Sequence, residues 1–305
     1  MNISTTLSPV AAPVRPLLIA GANGTLGQAF QRICDIRGLV CVALNRAQLD
    51  ITDPASVESC LEHHNPWSVV NAAGYVRVDD AETDFLRCYR ENTTGPAILA
   101  AACAQRQLQL LTFSSDLVFD GSKDTAYLES DPTGPLNVYG NSKRLAEQQV
   151  LALLPAALVV RTSAFFGPWD EYNFVHQALQ AARQGQRFAA ADDVLISPTY
   201  VPDLVNTALD LLLDEECGVW HLANEGACSW AALARQALAL AGLDMKYIQP
   251  QPMAAFGLAA ARPRYSVLSS SQGQLLRSVT AGLESYLTDV ASRPQSLEQQ
   301  VAAAS

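Results

Sequence analysis

Tyr139 and Lys143 stand four residues apart in Tyr139-Gly140-Asn141-Ser142-Lys143, a spacing that puts two side chains on one face of a helix. An ammonium beside a phenol lowers the phenol's pKa and suits it to give or take a proton near neutral pH. With nine tyrosines and three lysines (Lys123, Lys143, Lys246) in the chain, such a pair arises by chance in roughly one sequence of this kind in ten. Upstream, Gly21-Ala22-Asn23-Gly24-Thr25-Leu26-Gly27 is a Gly-x-x-Gly-x-x-Gly that follows an apolar strand directly and opens a helix. Glycines there let the backbone turn tightly against a pyrophosphate, which then meets the positive end of the helix. Between the two motifs, Ser114 and Ser115 emerge at the carboxyl end of a further apolar run, where a hydroxyl can reach a carbonyl.

A dinucleotide with a bare ribose is usually held by an acid at the end of the second strand. That place reads Ala43-Leu44-Asn45-Arg46, with no acid. Arg46 can pair with a 2′-phosphate, so NADPH is favoured and NADH comes second. Asn45, Arg46, Asp50 and Ile51 are then expected around the adenine end, with Gly21, Asn23, Gly24, Thr25, Leu26 and Gly27 at the phosphates.

From Leu17 the chain alternates short apolar runs with longer helical stretches, the pattern of a parallel sheet covered on both faces. Strands are expected over residues 17–20, 40–44, 68–71, 108–113 and 157–161. Helices are expected over 26–36, 54–63, 139–154 and a long stretch from 81 to 105, broken near Gly95-Pro96. The loop 120–137, rich in Gly, Ser, Asp and Pro, is too long for a plain connector and is a candidate site wall. After Ser163 the rhythm loosens, with helices over 174–184, 202–213 and 230–241 and a strand over 218–222. The expected architecture is α/β: a Rossmann-type doubly wound parallel sheet with a smaller, discontinuous C-terminal substrate lobe. Residues 16–164 and about 195–222 would form the dinucleotide-binding part, and about 165–194 and 223–287 the lobe. Residues 1–15 and 288–305 read as flexible tails.

Composition narrows the function classes. The chain has 305 residues and a formal charge of −10, which repels nucleic-acid backbones and anionic lipid. No apolar stretch approaches the roughly 20 residues of a membrane helix, and the N-terminus lacks a cationic run leading into an apolar core, so no secretory signal is expected. The seven cysteines show no Cys-x-x-Cys and read as reduced, buried residues of a cytoplasmic protein. The four histidines are scattered, and no metal site is expected.

The order of Gly-x-x-Gly-x-x-Gly, strand-four hydroxyl and Tyr-x-x-x-Lys resembles the extended short-chain dehydrogenase/reductase superfamily. Further blocks are similar to the dTDP-4-dehydrorhamnose reductase family: Asn71-Ala72-Ala73-Gly74-Tyr75 with Val78-Asp79-Asp80-Ala81-Glu82, Ser114-Ser115-Asp116-Leu117-Val118-Phe119-Asp120-Gly121, Val138-Tyr139-Gly140 with Lys143, Arg161-Thr162-Ser163, Ser197-Pro198-Thr199-Tyr200 and Gly218-Val219-Trp220-His221-Leu222 with Ser229-Trp230. The resemblance implies a reductase that passes hydride from a nicotinamide to the C4 ketone of a deoxysugar carried on a nucleotide. Tyr139 would donate the proton, Lys143 would activate it and anchor the ribose, and Ser115 would polarise the carbonyl, standing where the family usually has threonine. Asn71, Ala72 and Ala73 would line the cofactor, and Asn92 would support the site. The family's substrate-side Thr, Tyr and Trp are replaced here by Val76, Leu117 and Ala164, so Val76, Val78, Leu117, Ala164 and Phe165 are expected at an altered substrate wall. Phe166, Trp169 and Arg77 are further candidates for that wall. The implied partner is a small sugar nucleotide, with a homodimer compatible. An epimerase or dehydratase of the same superfamily remains open, although its Thr-Asp-Glu motif is here Ser115-Asp116-Leu117. A non-catalytic NADP-binding accessory subunit remains open too.

Overall fold

The computed structural model describes residues 14–273 and 276–292. Five parallel strands, β1 (Leu17–Ala20), β2 (Cys41–Leu44), β3 (Ser68–Asn71), β4 (Gln109–Phe113) and β5 (Leu158–Arg161), are joined by a sixth, Gly218–His221, beside β5. The sheet order is β2-β1-β3-β4-β5 and then Gly218–His221. All four residues of β1, β3 and β5 are buried, which is why these strands show no alternation of apolar and polar residues, their few polar members being Ser68 and Asn71 at the ends of β3 and Arg161 at the end of β5. The chain adds β2 on one side of β1 and then crosses to add β3 on the other, so the winding switches between β1 and β3 and a crevice opens beyond their carboxyl ends.

On one face, α1 (Thr25–Ile36) presents Leu26, Ala29, Phe30, Ile33 and Cys34 at helical spacing and packs with α7 (Val201–Leu213) on the sheet. On the other lie α2 (Pro54–His64), α4 (Gly95–Arg106) and α5 (Val138–Leu153). A third apolar cluster, away from the sheet, joins α6 (Phe174–Arg183), α8 (Trp230–Leu240) and α9 (Val279–Ala291). Short strand pairs connect these bodies, among them Phe165–Phe166 with Thr199–Tyr200 and Leu195–Ile196 with Cys228–Ser229.

The structure corrects four expectations. The helix is not broken at Gly95-Pro96: α3 (Phe85–Tyr89) runs through a π-helical turn, Arg90–Thr94, into α4. Pro96 has no N–H for the Asn92 carbonyl and its ring crowds that carbonyl, and the wider turn absorbs both problems without ending the helix. The C-terminal tail does not begin at Thr288: α9 continues to Ala291, held by the buried Tyr286 and by the Tyr200 hydroxyl donating to Asp289. Residues 1–13 of the other expected tail lie outside the described residues, while Arg15 Nε donates to the Asn65 carbonyl at 3.2 Å. Cys217 is exposed rather than buried, in the turn that leads into the last strand of the sheet. Among the described residues, no helix is long and apolar enough to cross a membrane.

Candidate active site

Two cavities meet at the carboxyl ends of β1, β3 and β4. The larger, about 620 Å³, runs from Gly21, Asn23, Gly24, Thr25 and Leu26 to Asn45, Arg46, Asp50 and Ile51, with Ala72 and Ala73 between. Gly21 has φ +91°, and a Cβ there would come within 2.7 Å of the Ala72 backbone, so only glycine lets the loop lie against β3. The N-terminus of α1 receives no side-chain cap, whereas Asp53, Asn137, Asn173, Ser229 and Ser278 cap other helices. Open backbone donors at a helix start, in a cleft of this size, fit the diphosphate of a dinucleotide.

Gly27 departs from its expected place. It does not line the cavity; a Cβ on it would lie 2.1 Å from the Gly21 carbonyl oxygen, so it serves the packing of α1 on the loop. Arg46 does face the cavity, but it is tethered: Nη1 donates to Glu91 Oε1 at 2.5 Å and Nε lies 3.8 Å from Asp50. Arg87 Nε donates to the same Glu91 oxygen at 2.8 Å. Burial pushes the Glu91 carboxyl up, but the bonds from Arg87 and Arg46 outweigh it and hold the group below the usual range. Thr25 Oγ1 donates to Asp170 Oδ2 at 2.9 Å, tying the loop before α6 to the glycine-rich turn.

The second cavity, about 360 Å³, shares Leu26, Ala72, Ala73, Gly74, Val76 and Phe165 with the first. It brings together Asn71, Ser115, Tyr139 and Lys143, and with them Val76, Val78, Leu117, Ala164 and Phe165. Ala164 has φ 42°, a backbone few side chains adopt. The three further candidates fall elsewhere. Phe166 is core, packed on Tyr200 and Tyr286; Trp169 lies under Arg32 against the first cluster; Arg77 is exposed beside Asp80. Phe165 and Phe166 are neighbours in one short strand, so their side chains take opposite faces and only one can reach the cavity.

The helix start that carries Tyr139 and Lys143 is fixed from three sides. Asn137 accepts from the Gly140 N–H at 2.7 Å, and Glu82 accepts from the Val138 N–H at 2.9 Å. From the π-helical turn, Asn92 donates to Ser142 Oγ at 3.1 Å and to the Tyr75 carbonyl at 3.0 Å, and accepts from the Tyr75 N–H at 2.8 Å. It thus locks the loop after β3 to α5. The buried Lys143 donates from Nζ to the Phe113 carbonyl at 3.2 Å and lies 5.8 Å from the centre of the Tyr139 ring. Desolvation pulls its pKa down to about 8, against Cys88 and Glu147. Tyr139 does not follow the sequence expectation of a lowered pKa. Desolvation first, then the Asp116 carboxyl and Cys88, push the phenol up, and a hydrogen bond with Ser115 opposes them.

The RmlD substrate binding domain family model matches residues 15–293. The chain is 37% identical over 273 residues to a dTDP-4-dehydrorhamnose reductase of Streptomyces griseus, covering 88% of each protein. It is 35% identical over 254 residues to a dTDP-4-keto-6-deoxy-D-glucose reductase of Streptomyces niveus, covering 82% of this chain and 87% of that one. The crystal structure of a dTDP-4-dehydrorhamnose reductase from Bacillus anthracis in complex with NADP superposes with a TM-score of 0.86 at 30% identity, covering 90% of this chain and 99% of that one. The chain belongs to the dTDP-4-dehydrorhamnose reductase family. It is an oxidoreductase.

Several residues of the reductase's cavity escaped the sequence reading. Thr162, Ser163, Ile196, Trp230 and Arg262 all line it, as does Asp116. Arg262 forms a two-point ion pair with Asp79, from Nη1 at 2.9 Å and from Nη2, and donates to the Ala260 carbonyl at 2.8 Å. Asp79, Asp116, Thr162, Ser163 and Trp230 lay inside recognised blocks but were given no place in the site, while Arg262 reaches the cavity from a segment with no local signature.

Proposed function

We propose that the enzyme reduces the C4 ketone of a deoxysugar linked to dTDP, using NADPH. The observation that carries this reading is the joining of the two cavities at Ala72-Ala73-Gly74, one ending at the glycine-rich turn and the other at Ser115, Tyr139 and Lys143. The NADP complex of the Bacillus anthracis relative supports the cofactor, and the names of the Streptomyces relatives support the substrate class. In this reading the 620 Å³ cavity takes the dinucleotide, with its diphosphate at the start of α1 and its 2′-phosphate by Arg46 and Arg87. The 360 Å³ cavity takes the sugar, walled by Val78, Leu117, Ala164 and Phe165.

A bound reduced nicotinamide supplies hydride to the ketone carbon. Tyr139 gives its proton to the ketone oxygen, and a phenol with a raised pKa is fully protonated and ready to do so at neutral pH. Ser115 donates a hydrogen bond to the same oxygen and draws charge onto it. Lys143 offsets the tyrosinate left behind and holds a ribose hydroxyl. Asn92, through Ser142 and Tyr75, keeps the parts in register. The test is NADPH and NADH consumption against a panel of dTDP-linked 4-keto-6-deoxysugars. Turnover with at least one, faster with NADPH, is expected; oxidation of neither cofactor with any sugar overturns the reading and favours an accessory role.

A further inference from the structure

Asp116 is a carboxyl buried inside the second cavity with only hydroxyls and backbone around it. Ser163 Oγ donates to its Oδ2 at 2.8 Å and Ser266 Oγ donates to the same oxygen at 2.6 Å. Its Oδ1 lies 3.1 Å from Ser115 Oγ, which also accepts from the Leu117 N–H at 3.1 Å. Among the described residues, no cation forms an ion pair with it, and the largest influences on it are burial and hydroxyl hydrogen bonds. These contacts reach it from three segments: the turn after β4, the turn after β5 and the Ser266 segment.

A serine hydroxyl has one hydrogen and two lone pairs. One lone pair of Ser115 is filled by the Leu117 N–H. If Asp116 were ionised, the Ser115 hydrogen would point to it, and none would be left for a ketone. If Asp116 is neutral, its two oxygens must differ. Oδ2 already accepts two hydrogens, so the proton sits on Oδ1, facing Ser115. Asp116 then donates to Ser115, fills the second lone pair, and leaves the Ser115 hydrogen free for the cavity. This arrangement fills both Ser115 lone pairs and pairs both Asp116 oxygens, and it turns the Ser115 hydrogen toward the cavity, on the side where it meets the Tyr139 hydroxyl.

We propose that Asp116 is a neutral acid that aims the Ser115 hydroxyl at the substrate carbonyl, a positioning residue for the polarising group. The inference rests on the reading of Ser115 given above. Burial raises the Asp116 pKa from its usual value, the direction this role requires. The titratable or charged groups facing the same space are Tyr139 and Lys143 on α5, Cys88 on α3, and Arg262, which Asp79 neutralises. Of these, Lys143 has an alkaline titration of its own, near 8. Activity is therefore full while Asp116 is protonated and is lost as pH rises through its pKa.

Two measurements test this. The first is the kcat profile against pH for wild type, Asp116→Asn and Asp116→Ala, with the best dTDP-linked keto sugar. An amide can donate to Ser115 from its nitrogen and accept from Ser163 and Ser266 on its oxygen, but it cannot ionise. Asp116→Ala is expected to lower kcat by about tenfold to a hundredfold. Asp116→Asn should recover much of that loss and move the alkaline limb up to the one left by Lys143. A limb that stays in place, or an amide no better than alanine, overturns the inference. The second is the infrared spectrum of the wild-type enzyme, which needs no substrate. A protonated-carboxyl band at neutral pH that fades together with kcat on alkalinisation is expected, and its absence overturns the inference. Failure to oxidise cofactor with any sugar speaks instead against the proposed function, since the infrared band is read without substrate and is assigned to Asp116 by its loss in Asp116→Asn.

Discussion

The Lys143 ammonium lies 5.8 Å from the centre of the Tyr139 ring while its hydrogen bond goes to the Phe113 carbonyl, 3.2 Å away. It is placed to steady a phenolate without being consumed by one. Burial disfavours its charged form, so its pKa falls to about 8 and the ammonium persists below that pH. Reductive kcat should therefore decline as pH rises through about 8 at the latest. Lys143→Met, which keeps the bulk and removes the charge, should lower kcat by about a hundredfold. A rate constant that holds level well above pH 8 in the wild type would count against the assignment.

Tyr139→Phe removes one oxygen from the cavity and leaves the ring. Loss of the proton donor should reduce kcat by about a hundredfold to ten-thousandfold. Fluorescence titration with NADPH should meanwhile give nearly the wild-type affinity. Turnover that survives the change on the best substrate would refute Tyr139 as the donor.

Arg46 and Arg87 share Glu91 Oε1 at 2.5 and 2.8 Å, so Glu91 gathers two guanidinium groups at the Asn45–Ile51 end of the larger cavity. Arg46→Ala should raise KM for NADPH by about tenfold, since one charge-assisted contact to phosphate is worth roughly 1.5–3 kcal/mol and the site is partly exposed. KM for NADH should hardly move. Equal effects on both cofactors would show that Arg46 does not read the 2′-phosphate.

Gly27 has no room for a side chain, with the Gly21 carbonyl oxygen 2.1 Å from where a Cβ would stand. Gly27→Ala forces α1 away from the loop and should destabilise the fold by about 1–3 kcal/mol. Thermal unfolding measures this directly, and an unchanged Tm would mean that the helix start yields at no cost.

Glu129 accepts from the His221 N–H at 3.0 Å, the Ser270 hydroxyl at 2.7 Å and the Ser271 N–H at 2.9 Å. Burial opposes its ionisation, but these bonds prevail and hold the carboxyl at about 2, against an ordinary 4.5. A folded-state pKa below the unfolded one stabilises the protein above 4.5, and that contribution fades as pH falls toward 2. Glu129→Gln should flatten this part of the acid-unfolding curve. A variant whose stability drops over the same range as steeply as wild type would remove Glu129 from the cause.

The sheet was legible because its strands are buried on both faces, and Leu17–Ala20 or Ser68–Asn71 can be little else. The core of the site was legible for a related reason: Gly21 and Gly24 at a strand end and Tyr139 with Lys143 at a helix start are local patterns. Arg262 was not, because it reaches the cavity by a long return of the chain that leaves no mark on its neighbours, whereas Ser229-Trp230 was a recognisable block whose place in the cavity only the fold reveals. The π-helical turn was hidden because a bond to the fifth residue has no compositional signature; Pro96 signalled trouble and the structure shows where it was absorbed. The Tyr139 pKa was misjudged because a lysine four residues away is visible in sequence, while Asp116 and burial are not.

Ser266 reaches Asp116 across 150 residues, and Arg262 reaches Asp79 across 183. A ribosome needs roughly 10–30 seconds to add that much chain. The nascent protein therefore exposes the glycine-rich cleft well before the segment that lines the second cavity from Arg262 to Ser266 has been made. Asp116 passes that interval without its last hydroxyl partner, and the growing chain completes the glycine-rich cleft first and the Ser115–Tyr139 cavity last.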